Sequence, residues 1–236
     1  MISVCMATYN GERFIKEQLS SILNQLSKGD ELIISDDGSR DKTLEIIEQF
    51  SDPRIKLYKA NFHSPILNFQ NALKHASNEF IFLSDQDDIW LDTKVETFLP
   101  YLKDYDLVVS DCTLIDENKK IIANSFFSLN NSGSGLTKNI YKNGFLGCCM
   151  AFNNKTLNHA LPFPSDIAMH DIWIGLIAET YGKTYFLPDK LLQYRRHGSN
   201  ASHAGEESTF SLYKKLLIRW IFIKNLLKRK FIESQK

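Results

Sequence analysis

Apolar residues come along this chain in two alternating rhythms. Short continuous runs read as buried strands: residues 2–7 (Ile-Ser-Val-Cys-Met-Ala), 31–35, 55–58, 80–84, 107–110 and 147–152. Between the early runs, apolar residues recur at helical spacing. Phe14, Ile15, Leu19, Ile22 and Leu23 form one set, Leu44, Ile47 and Phe50 a second, and residues 65–77 a third. Gly29-Asp30 and Asp52-Pro53 stop the first two helices, and Ser39 or Asp41 caps the second. Met169-His170-Asp171-Ile172-Trp173 opens a further helix to about Tyr181, which Gly182 ends, and 184–187 and 191–194 read as two short strands. Residues 116–143 are rich in Asn, Ser, Gly and Lys and read as one long flexible loop. Strand–helix alternation predicts an α/β fold, a parallel sheet with helices on both faces.

In such a sheet, ligands bind beyond the carboxyl ends of the strands. Three polar clusters fall at those ends: Thr8-Tyr9-Asn10-Gly11-Glu12, Asp36-Asp37-Gly38-Ser39 and Asp85-Gln86-Asp87-Asp88. The third follows the most apolar strand, Phe80-Ile81-Phe82-Leu83. In an extended segment alternate side chains face one way, so Asp85 and Asp87 aim at one point and Asp88 aims elsewhere. Two carboxylates held together repel unless a cation or proton sits between them. Mg²⁺ or Mn²⁺ suits the site, since hard ions take oxygen ligands and leave positions for phosphate. The competing reading is a solvated acidic turn in which Asp87 or Asp88 caps a helix. No GxGxxG follows the first strand and no GxxxxGK[ST] occurs, so a phosphate partner would be held by the metal and by basic side chains.

Charge changes the picture at the C-terminal end. The 236 residues carry no net charge, but residues 208–236 hold eight basic side chains against Glu233 alone, a net +7 that leaves −7 on residues 1–207. In this tail Leu212, Leu216, Trp220, Ile223, Leu227 and Phe231 form an apolar stripe, widened by Leu217, Ile221 and Leu226. This is the pattern of an amphipathic helix for an anionic membrane surface. The alternative is a helix packed on the catalytic domain or on a second subunit, in a homodimer. Cys5, Cys112, Cys148 and Cys149 show no zinc or CxxC spacing and are expected to be buried free thiols in a reducing cytosol. Met1-Ile2-Ser3-Val4 lacks the charged start of a signal peptide, and no run of eighteen apolar residues occurs. A cytoplasmic protein, peripheral at the inner face of the membrane, is the expectation, with no nucleic-acid partner.

Taken together, five motifs resemble glycosyltransferase family 2, the inverting nucleotide-sugar transferases of the GT-A fold. They are Thr8-Tyr9-Asn10-Gly11, Ser35-Asp36-Asp37-Gly38-Ser39, Leu83 to Trp90 (Leu-Ser-Asp-Gln-Asp-Asp-Ile-Trp), His170-Asp171-Ile172-Trp173 and Tyr194-Arg195-Arg196-His197-Gly198. The resemblance covers residues 2 to about 202 and is greatest to the rhamnosyltransferase-like branch of bacterial surface polysaccharide synthesis. It implies a single Rossmann-like, mostly parallel mixed sheet flanked by helices, with the amphipathic helix at the C-terminus. Residues 1–207 would form the catalytic domain, the donor half to about 110 and the acceptor half beyond, with 208–236 as the tail.

The resemblance also implies roles. Thr8 and Tyr9, with Asn10 and Glu12 in the same turn, would line the nucleotide pocket. Asp36 would read the base, with Asp37 beside it. Asp85 and Asp87, flanking Gln86, would contact the ribose and the Mn²⁺ or Mg²⁺ that bridges the diphosphate, and His197 would complete that site. Asp171 would be the catalytic base, or a plain helix cap. Arg195, Arg196 and Lys94 would hold the diphosphate, or be ordinary charge. Trp173 and His170 would meet the acceptor, although core packing competes for Trp173 and Trp90. Asn61-Phe62-His63 stands where an Asn-x-Gly is common in the family. The Gln-x-x-Arg-Trp of processive synthases is missing, which favours the addition of one sugar or a few. The donor would be dTDP-rhamnose, or a UDP-hexose or UDP-N-acetylhexosamine, and the acceptor a glycan or lipid-linked glycan. A rival of another class is a nucleotide-sugar-binding scaffold subunit without turnover.

Overall fold

The computed structural model describes residues 1–198, 200 and 210–235. Strand β1 (Ile2–Thr8) begins the chain and sits at the centre of the parallel half. Helix α1 (Ile15–Leu23), β2 (Glu31–Asp36), α2 (Thr43–Gln49), β3 (Ile55–Lys59), α3 (Pro65–Lys74) and β4 (Phe80–Ser84) follow. β1, β2 and β4 are buried along almost their whole length because helices cover both faces, which is why their sequences are apolar runs without alternation. The order is β3-β2-β1-β4, all parallel. Its register pairs Thr8 with Asp36 and Met6 with Ser84. The three polar turns therefore leave the sheet level with one another.

The second half is mixed. β5 (Ile89–Trp90), α4 (Lys94–Leu102) and β6 (Leu107–Ile115) lead to β7 (Ile121–Ala123), α5 (Phe126–Asn130) and α6 (Leu136–Tyr141). A 3₁₀ turn at Gly147–Cys149, β8 (Met150–Asn153), α7 (Asn154–Ala160), α8 (His170–Tyr181) and β9 (Thr184–Arg195) complete it. β8 lies antiparallel between β4 and β6, and β9 runs parallel to β6, so one sheet crosses both halves. The four cysteines are free and buried.

Two expectations are corrected. Residues 116–143 are not a featureless loop. Asp111 on β6 accepts hydrogen bonds from Ser125 Oγ (2.6 Å) and Phe127 N (2.9 Å), and Phe126 is buried. Asn139 and Glu179 bond the backbone at Gly133 and Gly135. Side-chain-to-backbone bonds order this polar segment, and hydrophobic periodicity does not report them. The two short strands at 184–187 and 191–194 are one strand, β9, whose register on β6 slips at Ser110–Asp111 and again before Thr113.

Residues 208, 209 and 236 of the C-terminal tail lie outside the described residues; within the rest runs α9 (Leu212–Glu233). One face docks. Phe222, Asn225 and Leu226 are buried, Arg229 donates to the carbonyls of Leu161 (2.8 Å) and Pro162 (2.6 Å), and Glu233 meets His159 at 2.5 Å. The other face carries the stripe read from sequence, with Leu212, Leu216, Trp220, Leu227 and Phe231 between 53% and 71% exposed. Among the described residues no helix is long and apolar enough to cross a membrane.

Glu31 is the buried charge that joins the amino ends of the sheet. Its carboxylate accepts from Ser3 Oγ (2.5 Å), Ser77 N and Oγ (both 2.8 Å) and Lys56 Nζ (2.5 Å). Burial works to raise its pKa, but the bonds from Lys56, Ser3 and Ser77 outweigh burial and hold it at about 2. A depressed carboxylate stabilises the fold above its unfolded pKa, and that stability is lost as pH falls through the folded value. Glu31→Gln is expected to lower unfolding free energy by about 2–3 kcal/mol at pH 7. In urea titrations the gap between variant and wild type should narrow below pH 4.5 and close near pH 2; a gap that does not depend on pH would refute the assignment.

Candidate active site

A cavity of about 390 Å³ opens at the carboxyl ends of β1, β2 and β4. The start of α3 forms one wall, and the 3₁₀ turn with the start of α8 forms another. Thr8 and Tyr9 end β1 at its rim. Gln86 pins Tyr9 by accepting from its N–H (2.9 Å) and donating to its carbonyl (3.0 Å), leaving the ring half exposed over the cavity. Gly11 has no side chain because the Gln86 amide fills the place a Cβ would take.

Asp36 and Asp37 divide their work. Asp36 accepts from Thr8 Oγ1 (2.8 Å), Gly38 N (3.1 Å), Ser39 N (2.9 Å) and Ser39 Oγ (2.6 Å), which shapes the turn and leaves it buried behind the cavity wall. Asp37 lines the cavity, and its carboxylate gathers the N–H groups of Phe62, His63 and Ser64 ahead of α3. Asn10 and Glu12 stay outside the cavity lining. They bond the backbone of Arg40 (2.9 Å) and Lys42 (3.0 Å) and so hold the first polar turn against the second.

The acidic turn supplies Asp85, Gln86 and Asp87 to the cavity. Asp87 Oδ2 lies 2.8 Å from His197 Nε2, and Asn200 is beside it at 3.4 Å. Asp87 Oδ1 is buried with no hydrogen-bond partner among the described residues. The His197 ring stacks on Phe14 at 4.9 Å. Asp88 does turn away from the cavity and accepts from Arg195 N at 2.9 Å. It is nonetheless close to Asp85, since ligand atoms of Asp85, Asp88 and the Cys148 thiol lie within 4.8 Å of one another. Burial, then the charges of Asp87 and Asp171, push the Asp85 carboxyl up, and burial with Asp87 and Asp85 does the same to Asp88. Crowded carboxylates and an orphaned carboxylate oxygen are the environment that a divalent cation relieves. The carboxylates of Asp85 and Asp87 are the oxygen donors that suit Mn²⁺ or Mg²⁺, and His197 reaches the site through Asp87, while the tightest group of ligand atoms is that of Asp85, Asp88 and Cys148.

Asp171 sits in the first turn of α8 and lines the cavity near enough for its charge to bear on Asp85. It accepts from Gly147 N (3.2 Å) and Ile172 N (2.7 Å). Burial nonetheless raises its carboxyl to about 6. His170 lines the same wall, stacked on Phe69 at 3.9 Å; burial lowers its pKa to about 3, so its imidazole is neutral. Gly147 keeps this wall open, since a Cβ there would stand 3.3 Å from Asp171 Cβ and 3.4 Å from His170 Nε2.

Several sequence-derived candidates lie elsewhere. Trp173 is buried beneath α8 and donates to the Ala160 carbonyl (2.9 Å), away from the cavity. Lys94 is buried, donates to the Cys148 carbonyl (2.6 Å) and lies over the Trp90 ring at 4.3 Å, so it packs behind the site, and Trp90 with it. Arg195 is 1% exposed and bonds the carbonyls of Asp87 (2.8 Å) and Glu117 (3.3 Å) and the Glu17 carboxylate (2.7 Å). It braces the acidic turn from below. Arg196 is half-buried, donates its N–H to Ile115 and does not line the cavity. Sequence reading missed Asn68, Phe69, Tyr194 and Asn200 in the lining. Asn68 had a signal, being a polar residue in the otherwise apolar buried face of α3 with Phe69, Ala72 and Leu73.

The architecture recurs in solved structures. Staphylococcus aureus TarS 1-349 in complex with UDP-GlcNAc matches with a TM-score of 0.71 over 95% of this chain and 66% of that one, at 22% identity. The mannosyltransferase PcManGT from Pyrobaculum calidifontis, in complex with GDP-Man and Mn²⁺, matches with 0.65 over 86% and 58%, at 19% identity. At such identities the likeness establishes the fold, which is GT-A. Residues 3–160 match the family model described as "Glycosyl transferase family 2". The dTDP-rhamnosyl transferase RfbG of Shigella flexneri is 30% identical over 89% of this chain and 78% of its own length. The chain belongs to glycosyl transferase family 2. The UDP-Glc:alpha-D-GlcNAc-diphosphoundecaprenol beta-1,3-glucosyltransferase WfgD of Escherichia coli is 31% identical over 70% of this chain. This chain spans 64% of WfgD's length.

Because Arg195 is buried with three partners, Arg195→Leu is expected to destabilise the fold by roughly 3 kcal/mol, chiefly by leaving the acidic turn uncompensated. A urea midpoint unchanged from wild type would return Arg195 to the pool of solvated, ligand-facing charges.

Proposed function

We propose that this chain is a metal-dependent, inverting glycosyltransferase. It moves a sugar from a nucleotide-sugar donor to a hydroxyl of a growing, lipid-linked cell-surface polysaccharide. The observation that carries this reading is the grouping of Asp85, Asp87 and Asp171 around one cavity at the strand ends, with His197 bonded to Asp87 from outside the cavity lining. dTDP-rhamnose is the favoured sugar donor, supported by the likeness to RfbG over most of both chains. A UDP-hexose or UDP-N-acetylhexosamine is the alternative, supported by WfgD and by TarS with UDP-GlcNAc. Residues to about 110 hold the donor, and residues 111–207 the acceptor.

In the reaction the acceptor oxygen forms a bond to the anomeric carbon as the bond from that carbon to the diphosphate breaks. The proton of the acceptor hydroxyl passes to a carboxylate oxygen of Asp171, and the nucleoside diphosphate leaves with the bonding pair. Asp87, His197 and Asp85 would hold Mn²⁺ or Mg²⁺, which when bound supplies Lewis-acid neutralisation of the diphosphate. Tyr9, Thr8 and Asp37 frame the nucleoside. His170 and the Leu146-Gly147 wall face the acceptor. The fixed wall contributes by holding the two reacting atoms in line.

A base must be ionised to act. With its carboxyl raised to about 6, Asp171 is charged at neutral pH and yet basic enough to accept a proton as the transfer proceeds. Donor hydrolysis and transfer by purified protein with Mn²⁺ should be EDTA-sensitive and lost in Asp87→Ala. The pH profile of kcat/KM should rise about tenfold per unit below pH 6 and level off above it. Asp171→Asn should lower kcat at least 10²-fold while nucleoside diphosphate binding persists. Binding without turnover toward any acceptor, with Asp171→Asn matching wild type, would favour the scaffold reading instead.

The outer face of α9 supports attachment to an anionic membrane at the cytoplasmic leaflet. Its exposed Leu216, Trp220, Leu227 and Phe231 are accompanied by Lys214, Lys228 and Lys230, which have no acidic partner among the described residues. Trp220→Asp with Leu227→Asp should cut partition onto phosphatidylglycerol vesicles at least tenfold and leave nucleotide binding intact. Undiminished partition would end the idea, and a change from dimer to monomer in sedimentation would assign the face to a second copy.

A further inference from the structure

Five non-glycine residues among those described hold left-handed backbone: Asn10, Ser51, His63, Lys119 and Asn131. Asparagine and, less readily, histidine tolerate that region, and Ser51 and Lys119 lie exposed in surface turns. His63, with φ at +51°, is the member of this set that lines the cavity. Its backbone is fixed from outside. The Asp37 carboxylate collects three successive N–H groups, those of Phe62, His63 (3.0 Å) and Ser64 (2.9 Å), and Ser64 then caps α3. Three donors converging on one acceptor require the chain to turn there whatever side chain residue 63 carries. Glycine would make the same turn without strain. The imidazole therefore contributes nothing to the shape of the loop. It is exposed, makes no hydrogen bond or ring contact among the described residues, and faces the cavity beside Tyr9 and Asp37. A side chain kept in a strained backbone without a partner in the protein points to a partner that comes from outside.

Topology says which part of a ligand it meets. His63 follows β3, and the acidic turn follows β4; β2 and β1 lie between them. Three inter-strand spacings separate the two, about 14 Å. Phosphate and cation belong at the acidic end, so His63 stands at the nucleoside end. We propose that His63 contacts the nucleobase of the bound nucleotide, where its ring nitrogens read the base edge and set the base preference of the site. The inference rests on the nucleotide-sugar reading above and deepens it.

The test separates the two. Calorimetric titration of the Mn²⁺-loaded protein would use UDP, dTDP and GDP as probes, with inorganic pyrophosphate as the probe that lacks a nucleoside. His63→Gly should leave Tm unchanged or raise it by about 2–4 °C, because the strain is gone. The same variant should weaken the preferred nucleoside diphosphate at least fivefold, narrow the spread among the three bases and leave pyrophosphate unchanged. His63→Ala should show the same loss of affinity without the gain in Tm, and His63→Asn should recover part of it. A nucleoside diphosphate affinity equal to wild type in His63→Gly overturns the inference, and so does a parallel loss of pyrophosphate. If wild type binds no nucleoside diphosphate with cation present, the transferase reading itself falls, a result distinct from wild-type binding that His63→Gly leaves untouched.

Discussion

Three carboxylates within four residues, Asp85, Asp87 and Asp88, stand at the end of a buried strand, and their mutual repulsion is the constraint around which the rest is arranged. Each is met by a different device. Asp88 is turned inward onto the Arg195 backbone N–H. Asp87 is paired on one oxygen with His197 and left open on the other. Asp85 shares its surroundings with the Cys148 thiol and keeps a raised pKa. The Arg195 guanidinium takes the Asp87 carbonyl from below and links it to Glu17 on α1. A turn this loaded holds its shape because several elements distant in sequence brace it, and the uncompensated negative charge it leaves at the cavity is what suits a cation.

The cavity is acidic at one end and polar with an aromatic rim at the other, and this gradient follows from strand order. Because β3, β2, β1 and β4 are parallel and level, the turns after them line up in a row. Along that row Asp37, its carboxylate taken up by three backbone N–H groups, and Tyr9 come first, and the crowded carboxylates of Asp85 and Asp87 last. The wall at Gly147 and α8 closes the row with Asp171, which comes from a helix start rather than from a strand end. Burial raises its carboxyl, and the helix start limits the rise by supplying backbone N–H groups.

Much of the parallel half was legible in the sequence, since β1, β2 and β4 are continuous apolar runs and the polar turns after them stand out against those runs. Residue type and position also gathered Tyr9, Asp37, Asp85 and Asp87 at one edge of the sheet, and the family resemblance added His170 and Asp171; all six line one cavity. What the sequence hid was direction. Lys94, Trp173 and Arg195 have the chemistry of ligand-binding residues, and the structure points all three into the protein, where a carbonyl or a carboxylate satisfies them. Asp36 and Asp37 are neighbours of one type, and hydrogen bonds to the turn decide that Asp37 lines the cavity. The order in 116–143 rests on single side-chain-to-backbone bonds from Asp111, Asn139 and Glu179, which leave no periodic trace. The apolar stripe of the tail was read correctly, but it is one of two apolar faces, and the docked one at Phe222 and Leu226 was not separated from it.

Strand β9 delivers both Arg195 and His197, and it does so late. The Arg195 bond to Asp88 spans 107 residues of chain, and that from His197 to Asp87 spans 110. During synthesis the four parallel strands and their helices have all emerged by residue 84. The acidic turn must then wait, its carboxylates hydrated and uncompensated, until more than a hundred further residues have emerged. The acidic turn is thus finished long after the strand that bears it, and a nascent chain arrested before the end of β9 would have the polar turns of the parallel half without the Arg195 guanidinium beneath them.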